Sequence, residues 1–409
     1  MSDTKKTTLR TVENNWDEIN EKIKAYRRRR LRRILLAAII CAAFIVALFL
    51  YMRYMTYDQI RTTDAISRND TQGTQYDAFG EYILRFSNDG ITCMDSNLKA
   101  VWAQAFSMQS PIVRTSENYV IAADRNGKNF YIIGKDGEVG NYQTDMQITQ
   151  VCVSDKGTAA ILMQNADTGY LCVYDAGGNK TAEGAIHAEG SGYPVDLALS
   201  PDGKTLAVSI LTVADGQIQS SIHYYNFGEA GAAQPDHRIA AYDYPGTIIP
   251  QIQYIRDDIL AAYGDNRLLL IEGSEKPKQR AEILFKNEVK SIFSDHSGIG
   301  VLFDRGGEGG KDLLQIYDTD ASVKMEMTTS QTYDTAYYLD NGEIFLCGTG
   351  QAAICTDFGR QKYAGTLPKD PERVYSTGSY GKYVFVYEDQ IEVTRLALAG
   401  GTKTASGER

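Results

Sequence analysis

Tryptophan is nearly missing from this chain, with only Trp16 and Trp102 in 409 residues, and histidine is scarce at 4. The histidines His187, His223, His237 and His296 are scattered, and none of the 6 cysteines falls in a CxxC or Cys/His cluster. Zinc needs several such ligands converging, so the pattern predicts no metal site. No G-x-S-x-G elbow and no separate hydrolase domain is recognisable, which argues against the serine peptidases that carry them. Basic charge is also short over most of the chain: residues 53–409 hold 31 Lys and Arg against 47 Asp and Glu. An acidic folded portion lacks the basic face that nucleic acid requires.

Basic charge is concentrated instead in residues 1–33, with 11 Lys and Arg against 5 Asp and Glu. Directly after it comes ILLAAIICAAFIVALFLYM, Ile34 to Met52, nineteen residues without a charge. As a helix it would extend ~28 Å, close to the ~30 Å of a bilayer's hydrocarbon. RRRRLRR, Arg27 to Arg33, abuts its N-terminal end, whereas Arg53, Asp58, Arg61 and Asp64 on the other side are mixed in sign. The positive-inside rule then predicts a plasma-membrane signal anchor, N-terminus cytoplasmic and the remainder extracytoplasmic. A buried core helix and a cleavable signal peptide are the competing readings; no Ala-x-Ala site follows the stretch, which disfavours the second. Lipid attachment at Cys41 is poorly matched, since bulky Ile39 and Ile40 precede it.

Within the tail, Leu9, Val12, Trp16, Ile19, Ile23 and Tyr26 recur at helical spacing and form one stripe. Two coverings stay open. One is a helix on the inner leaflet with the arginines at anionic headgroups. The other is a homodimer through a short coiled coil, continued by the small-residue pairs Ala38/Ala42 and Ala43/Ala47.

The exported part carries a repeat. In VDLALSPDGKTLAVSI (195–210) apolar and polar residues alternate on both sides of Pro201-Asp202-Gly203, which describes a β-hairpin. Similar hairpins start at Ser116, Ser154, Ser200, Arg256, Ser294, Leu339 and Ser379, at intervals of 38 to 56 residues, and one more surrounds Phe79-Gly80-Glu81. Third apolar strands follow most of them, as in FYIIG (130–134) and RLLLIEG (267–273), usually with a more polar fourth. Four strands per ~40–45 residues is the period of a propeller blade. The fold class expected is therefore all-β, an eight-bladed β-propeller preceded by one transmembrane helix, with seven blades or a long sandwich as alternatives. The last unit supplies only three strands, so its outer strand should come from Tyr57 to Ile66 and close the ring. GEAGAAQPDH (228–237) reads as an insertion within the fourth blade. The boundaries that follow are tail 1–33, anchor 34–52, juxtamembrane segment and closing strand 53–78, propeller 79–400 and a disordered tail 401–409.

Sites are few. Asp124-Arg125-Asn126-Gly127 and Asp202-Gly203 carry oxygen ligands but never continue to the bidentate Glu of a calcium loop, so turns explain them. Asp295-His296-Ser297 holds three triad residue types side by side, where they cannot assemble a triad. RGGEGGK (305–311) lacks the Ser/Thr ending of a phosphate loop and joins strands rather than a strand and a helix. Quinone-cofactor propeller dehydrogenases use tryptophan-rich repeats that are missing here. Five cysteines lie outside the membrane; Cys152 and Cys172 fall in one repeat and could bridge, though buried free thiols are the preferred reading. Tyr224-Tyr225 and Tyr337-Tyr338 put one aromatic on each face of a strand. No catalytic, cofactor-binding or metal residue is assigned.

GYPVDLALSPDGKTLAVSILTV (192–213), IHYYNFGEAG (222–231), ILRFSNDGITCMD (83–95) and AVWAQAF (100–106) carry a resemblance. With the basic tail and anchor, the layout resembles a family of uncharacterised bacterial single-pass membrane-anchored β-propeller proteins, whose repeat elements are similar to TolB-like and WD-type ones. The resemblance implies fold and topology and transfers no activity. The function expected is a non-enzymatic scaffold or ligand-binding module of the cell envelope, with other envelope proteins or wall polymer as partners and no cofactor. The alternatives are an envelope enzyme acting on glycan or peptidoglycan, and a sensor signalling through the cytoplasmic helix.

Overall fold

Alternating apolar residues become strand pairs wherever the sequence places a turn. The computed structural model describes residues 16–71, 73–165, 168–187, 192–214, 216–306 and 311–398. It divides into two units, residues 1–55 and 56–409.

The first unit is helix α1, Trp16–Tyr54, without a break. The expected tail helix and membrane span thus form one element, with the Arg27–Arg33 cluster inside it. Asn20–Tyr51 contains a stretch long and apolar enough to cross a membrane, and its large apolar side chains, from Ile34 to Tyr51, are exposed. Of the amphipathic stripe, Ile23 and Tyr26 are exposed; the side chains of Leu9, Val12, Trp16 and Ile19 lie outside the description.

The second unit consists of eight four-stranded antiparallel sheets. Blades 1 to 7 span 75–105, 111–143, 148–187, 193–244, 251–284, 288–328 and 335–366; blade 8 combines 373–397 with Gln59–Ser67. Each of the eight expected hairpin turns joins the first and second strands of a blade. Eight separate sheets exclude the seven-bladed and sandwich alternatives. The first inner strand starts at Gln75, inside the segment assigned to the juxtamembrane region, because Gln75 pairs with Phe86. The expected tail 401–409 lies outside the described residues.

The second strand of a blade is covered on both faces by its neighbours, so its apolar pattern is continuous rather than alternating. Ala159–Met163, Ile259–Tyr263 and Gly298–Phe303 are buried throughout. Each large side chain so buried stabilises the ring by ~1.5–3 kcal/mol. The cores are seams between blades: Leu162 and Val173 of blade 3 meet Leu199, Leu206 and Val208 of blade 4. Tyr224 enters the seam towards blade 5 and Tyr225 the one towards blade 3, while Tyr337 and Tyr338 divide likewise.

Turn chemistry ties the blades together. Gly203, at φ 74°, lets the Pro201-Asp202-Gly203 turn close with a Gly203 N–H to Ser200 O bond of 2.8 Å. A Cβ there would stand 2.5 Å from Thr158 Oγ1 of the preceding blade. Asp155 N–H donates to Pro201 O at 3.1 Å, and Glu117 N–H to Asp155 Oδ1 at 2.7 Å, linking the turns of blades 2, 3 and 4.

Ring closure follows the expected route. Gln59–Ser67 pairs antiparallel with Gln390–Ala397 as the outer strand of blade 8. Arg68 then bonds Asp70 and Glu372, each at 2.7 Å, and the Tyr76 hydroxyl donates to Asp70 at 2.7 Å, fastening the crossing into blade 1. All six cysteines are free. Cys152 and Cys172 pack in different seams, so they cannot bridge. Burial pushes the thiols of Cys93, Cys152 and Cys355 up to about 12, in the unreactive range.

Seven outer strands share one irregularity. In blades 1 and 3 to 8 the register shifts once against the third strand, leaving an extra residue in the outer strand, such as Thr181, Ile239, Lys362 or Thr63. Such a bulge bends the strand and re-aims a side chain.

Candidate functional site: a cleft between the third and fourth blades

The residues weighed in the sequence serve turns. Asp124 Oδ1 accepts from Gln109 N–H and Ser110 N–H at 3.0 and 2.9 Å. Asp295 Oδ1 accepts from Ser297 N–H at 2.7 Å, so Asp295-His296-Ser297 is a turn between the first two strands of blade 6. Of RGGEGGK, which joins the second and third strands of that blade, residues 307–310 lie outside the description. Among the described residues no three His, Cys, Asp or Glu side chains gather as a metal site would need. On the inner strands, Asp77 accepts from Ala78 N–H and Asp196 from Ile252 N–H, both at 2.8 Å.

A different place has the character of a site. The seam between blades 3 and 4 opens towards its outer edge into a cavity of about 210 Å³. Leu171, Val173, Ala182 and Ile186 of blade 3 form one wall. His223, Tyr225 and Phe227 on the third strand of blade 4, with Asp236, His237 and Arg238, form the other. Alternation along Gln217–Asn226 sends His223 and Tyr225 to this side while Ile222 and Tyr224 pack towards blade 5.

The insertion in blade 4 makes the outer wall. It contains a single turn, α2 (Glu229–Ala232), and a 3₁₀ turn (Pro235–His237). Gly231 is clamped so closely on Asn226 that a Cβ would fall 1.7 Å from the Asn226 carbonyl oxygen. Asn226 is itself held by an Nδ2–H bond of 2.9 Å to Ser274 O in blade 5. Asp236 and His237 both take left-handed backbone, φ 55° and 57°. For two consecutive non-glycine residues that conformation costs of order 1 kcal/mol each, and such strain concentrates at working sites. It turns the His237 ring towards Phe227, at 5.9 Å between centroids.

Polar groups here are poorly satisfied. His223 is only 9% exposed, and its ring has no hydrogen-bond partner among the described residues. His237 Nδ1 is buried without a partner. Arg238, exposed at the mouth, enters no ion pair among the described residues, and Asp236 beside it is exposed. Glu183, on the opposite lip, is already paired with Lys180. Burial, then the Arg238 charge, lowers the His223 pKa, with Asp243 opposing. Burial raises that of Tyr225. A hydrogen-bonding guest in this cleft would give the unbonded imidazole a partner.

In the sequence His223 and His237 are fourteen residues apart and look unrelated. The one available signal was the 56-residue interval produced by the insertion. His187 lies on the outer strand of blade 3, its Nδ1 3.3 Å from the Thr168 hydroxyl, and His296 lies in its turn.

The chain belongs to the family of unknown function DUF5711, whose signature matches residues 53–396. No curated protein matches it. Among solved structures it is similar to Saccharomyces cerevisiae Sqt1, at 11% identity and a TM-score of 0.54, covering 82% of this chain and 100% of that one. It is also similar to the Neurospora crassa Pan2 WD40 domain, at 7% identity and a TM-score of 0.46, covering 84% and 97%. At such identities the likeness concerns the fold alone.

Proposed function

We propose that this protein is a membrane-anchored, extracytoplasmic ring that works by binding rather than catalysis, as a protein-interaction scaffold of the cell envelope. The observation that carries the reading is the join between its parts. A charge-free span preceded by Arg27–Arg33 is followed, after six residues, by the strand that closes the propeller. Positive charge before the span favours a cytoplasmic N-terminus and export of the ring.

The strand register supplies a face for partners. Gln59 pairs with Ala397, and Arg395 with Lys382 beside the inner turn of blade 8, so the chain enters the ring on the face of those turns. On the opposite face the turns between second and third strands project. The longest such hairpin, Thr205–Ala214 with Gln217–Asn226, exposes Val213 by 73% and Ile218 by 52%. Exposed apolar side chains on a projecting hairpin suit a protein partner better than a sugar polymer.

The test is proximity crosslinking of the ring in intact cells, comparing the native chain with a Val213→Asp/Ile218→Asp variant. The reading expects one or two reproducible envelope proteins, with capture by the variant reduced about tenfold or more, as for loss of a small apolar hot spot. Capture of cytoplasmic proteins would overturn the topology. Equal capture by both chains would overturn the chosen face.

A further inference from the structure

We propose that the cleft between blades 3 and 4 binds a small organic carboxylate with an apolar body of about ring size. Its carboxylate would sit at Arg238 and the two imidazoles, and its body against Leu171, Val173, Ile186 and Phe227.

Size comes first. The cavity of about 210 Å³ exceeds the ~150 Å³ that accommodates a benzene ring in an apolar protein cavity. The blade 3 wall is aliphatic and Phe227 faces it, so the deep part suits a hydrocarbon body.

The polar rim decides the head group. The Nδ1 atom of His237 is buried without a partner among the described residues, His223 lines the cleft with no hydrogen bond among them, and Arg238 enters no ion pair among them. Guanidinium and imidazole groups are the donors that carboxylates recognise, and a charge-assisted bond inside a partly desolvated cleft is strong. The acidic neighbours do not reverse this preference. Glu183 is engaged by Lys180, and Asp236 is solvent-exposed, where water screens its charge.

Geometry also indicates a built site rather than a packing defect. Gly231 permits the insertion to close on Asn226, and left-handed backbone at Asp236 and His237 turns the imidazole to the cleft.

The site is independent of the scaffold reading, since a partner could dock on the far face whether or not the cleft is filled. The experiment is ¹⁹F NMR of 4-fluorophenylacetate with the full chain in detergent, with 4-fluorobenzyl alcohol as the uncharged comparison. Variants in the same detergent control for partition into micelles. Saturable broadening with a dissociation constant near or below ~1 mM is expected, the range of a one-ring ligand making few contacts. Arg238→Gln, an exposed change compatible with folding, should weaken binding about tenfold. The alcohol should bind about tenfold more weakly than the acid, and His223→Leu, which removes one of the two imidazoles at the head group, should weaken binding about tenfold. Equal binding of acid and alcohol would overturn the carboxylate assignment. Identical broadening with the native chain and with His223→Leu, or no saturable broadening at all, would overturn the site.

Discussion

Two inter-blade seams that hold polar side chains treat them in opposite ways. Between blades 7 and 8, Lys362 is 2% exposed, yet its ammonium bonds Glu343 at 2.6 Å and the Tyr383 hydroxyl at 3.0 Å. Tyr383 in turn donates to Glu343 Oε2 at 2.5 Å, and the Tyr380 ring lies 4.1 Å from the ammonium. Burial and the Glu343 charge push the Tyr383 pKa up, keeping its hydroxyl a donor. Tyr57 N–H donates to the Lys362 carbonyl at 2.8 Å, where the chain enters the ring, so this polar knot fastens the closing strand. Between blades 3 and 4, His223 and His237 have space beside them and no partner. A satisfied buried network holds structure together, and an unsatisfied one next to a cavity leaves a place for something else.

The comparison breaks most severely at Lys362. Lys362→Ala strands Glu343 in the seam and should cost about 3–5 kcal/mol, measured by denaturant unfolding. The paired change Lys362→Met/Glu343→Leu, which removes both charges, should recover most of that loss. If the double variant is no better than the single one, the knot acts through packing and not through its charges. Gly231→Ala comes next. The added methyl must displace the insertion from Asn226, costing about 1–3 kcal/mol and loosening the cleft wall, visible as faster amide exchange over 228–238.

The smallest effect has the opposite sign. His223→Leu should leave stability unchanged or raise it by about 1 kcal/mol, since an unbonded buried imidazole is replaced by an aliphatic group. It should also change the pH dependence. The folded pKa of His223 lies below its ordinary 6.5, so the unfolded chain takes up the proton first as pH falls. Stability that is intact above about pH 6.5 is then lost between 6.5 and the depressed folded value. Arg238, His237, Tyr225, Asp236, Asp243 and Glu183 surround the ring and contribute their own charges, but only His223 is removed by the substitution. The variant should show a flatter melting-temperature profile below pH 6.5.

These particulars also separate what a linear reading could reach from what it could not. The hairpins were legible because a positive-φ glycine such as Gly203 between alternating runs has one local explanation. Closure by Gln59–Ser67 was legible from a count, since the final unit lacked a fourth strand. The outer-strand bulges were not, because whether Lys362 or Ile239 is the extra residue depends on the register between two strands. The cleft was hidden for the same reason. His223 is an ordinary alternating strand residue until blade 3 is packed against it, and the bend that brings His237 back to Phe227 arises from backbone strain at Asp236 and His237 that composition does not reveal.

The most direct test of the claim that this seam is kept open for a ligand is one paired measurement on His223→Leu: thermal stability at pH 7, and binding of 4-fluorophenylacetate. The account predicts a melting temperature equal to or above that of the native chain together with binding weakened about tenfold, the signature of a group retained at the expense of stability. A lowered melting temperature with binding retained would contradict it, and would make His223 a structural part of the seam.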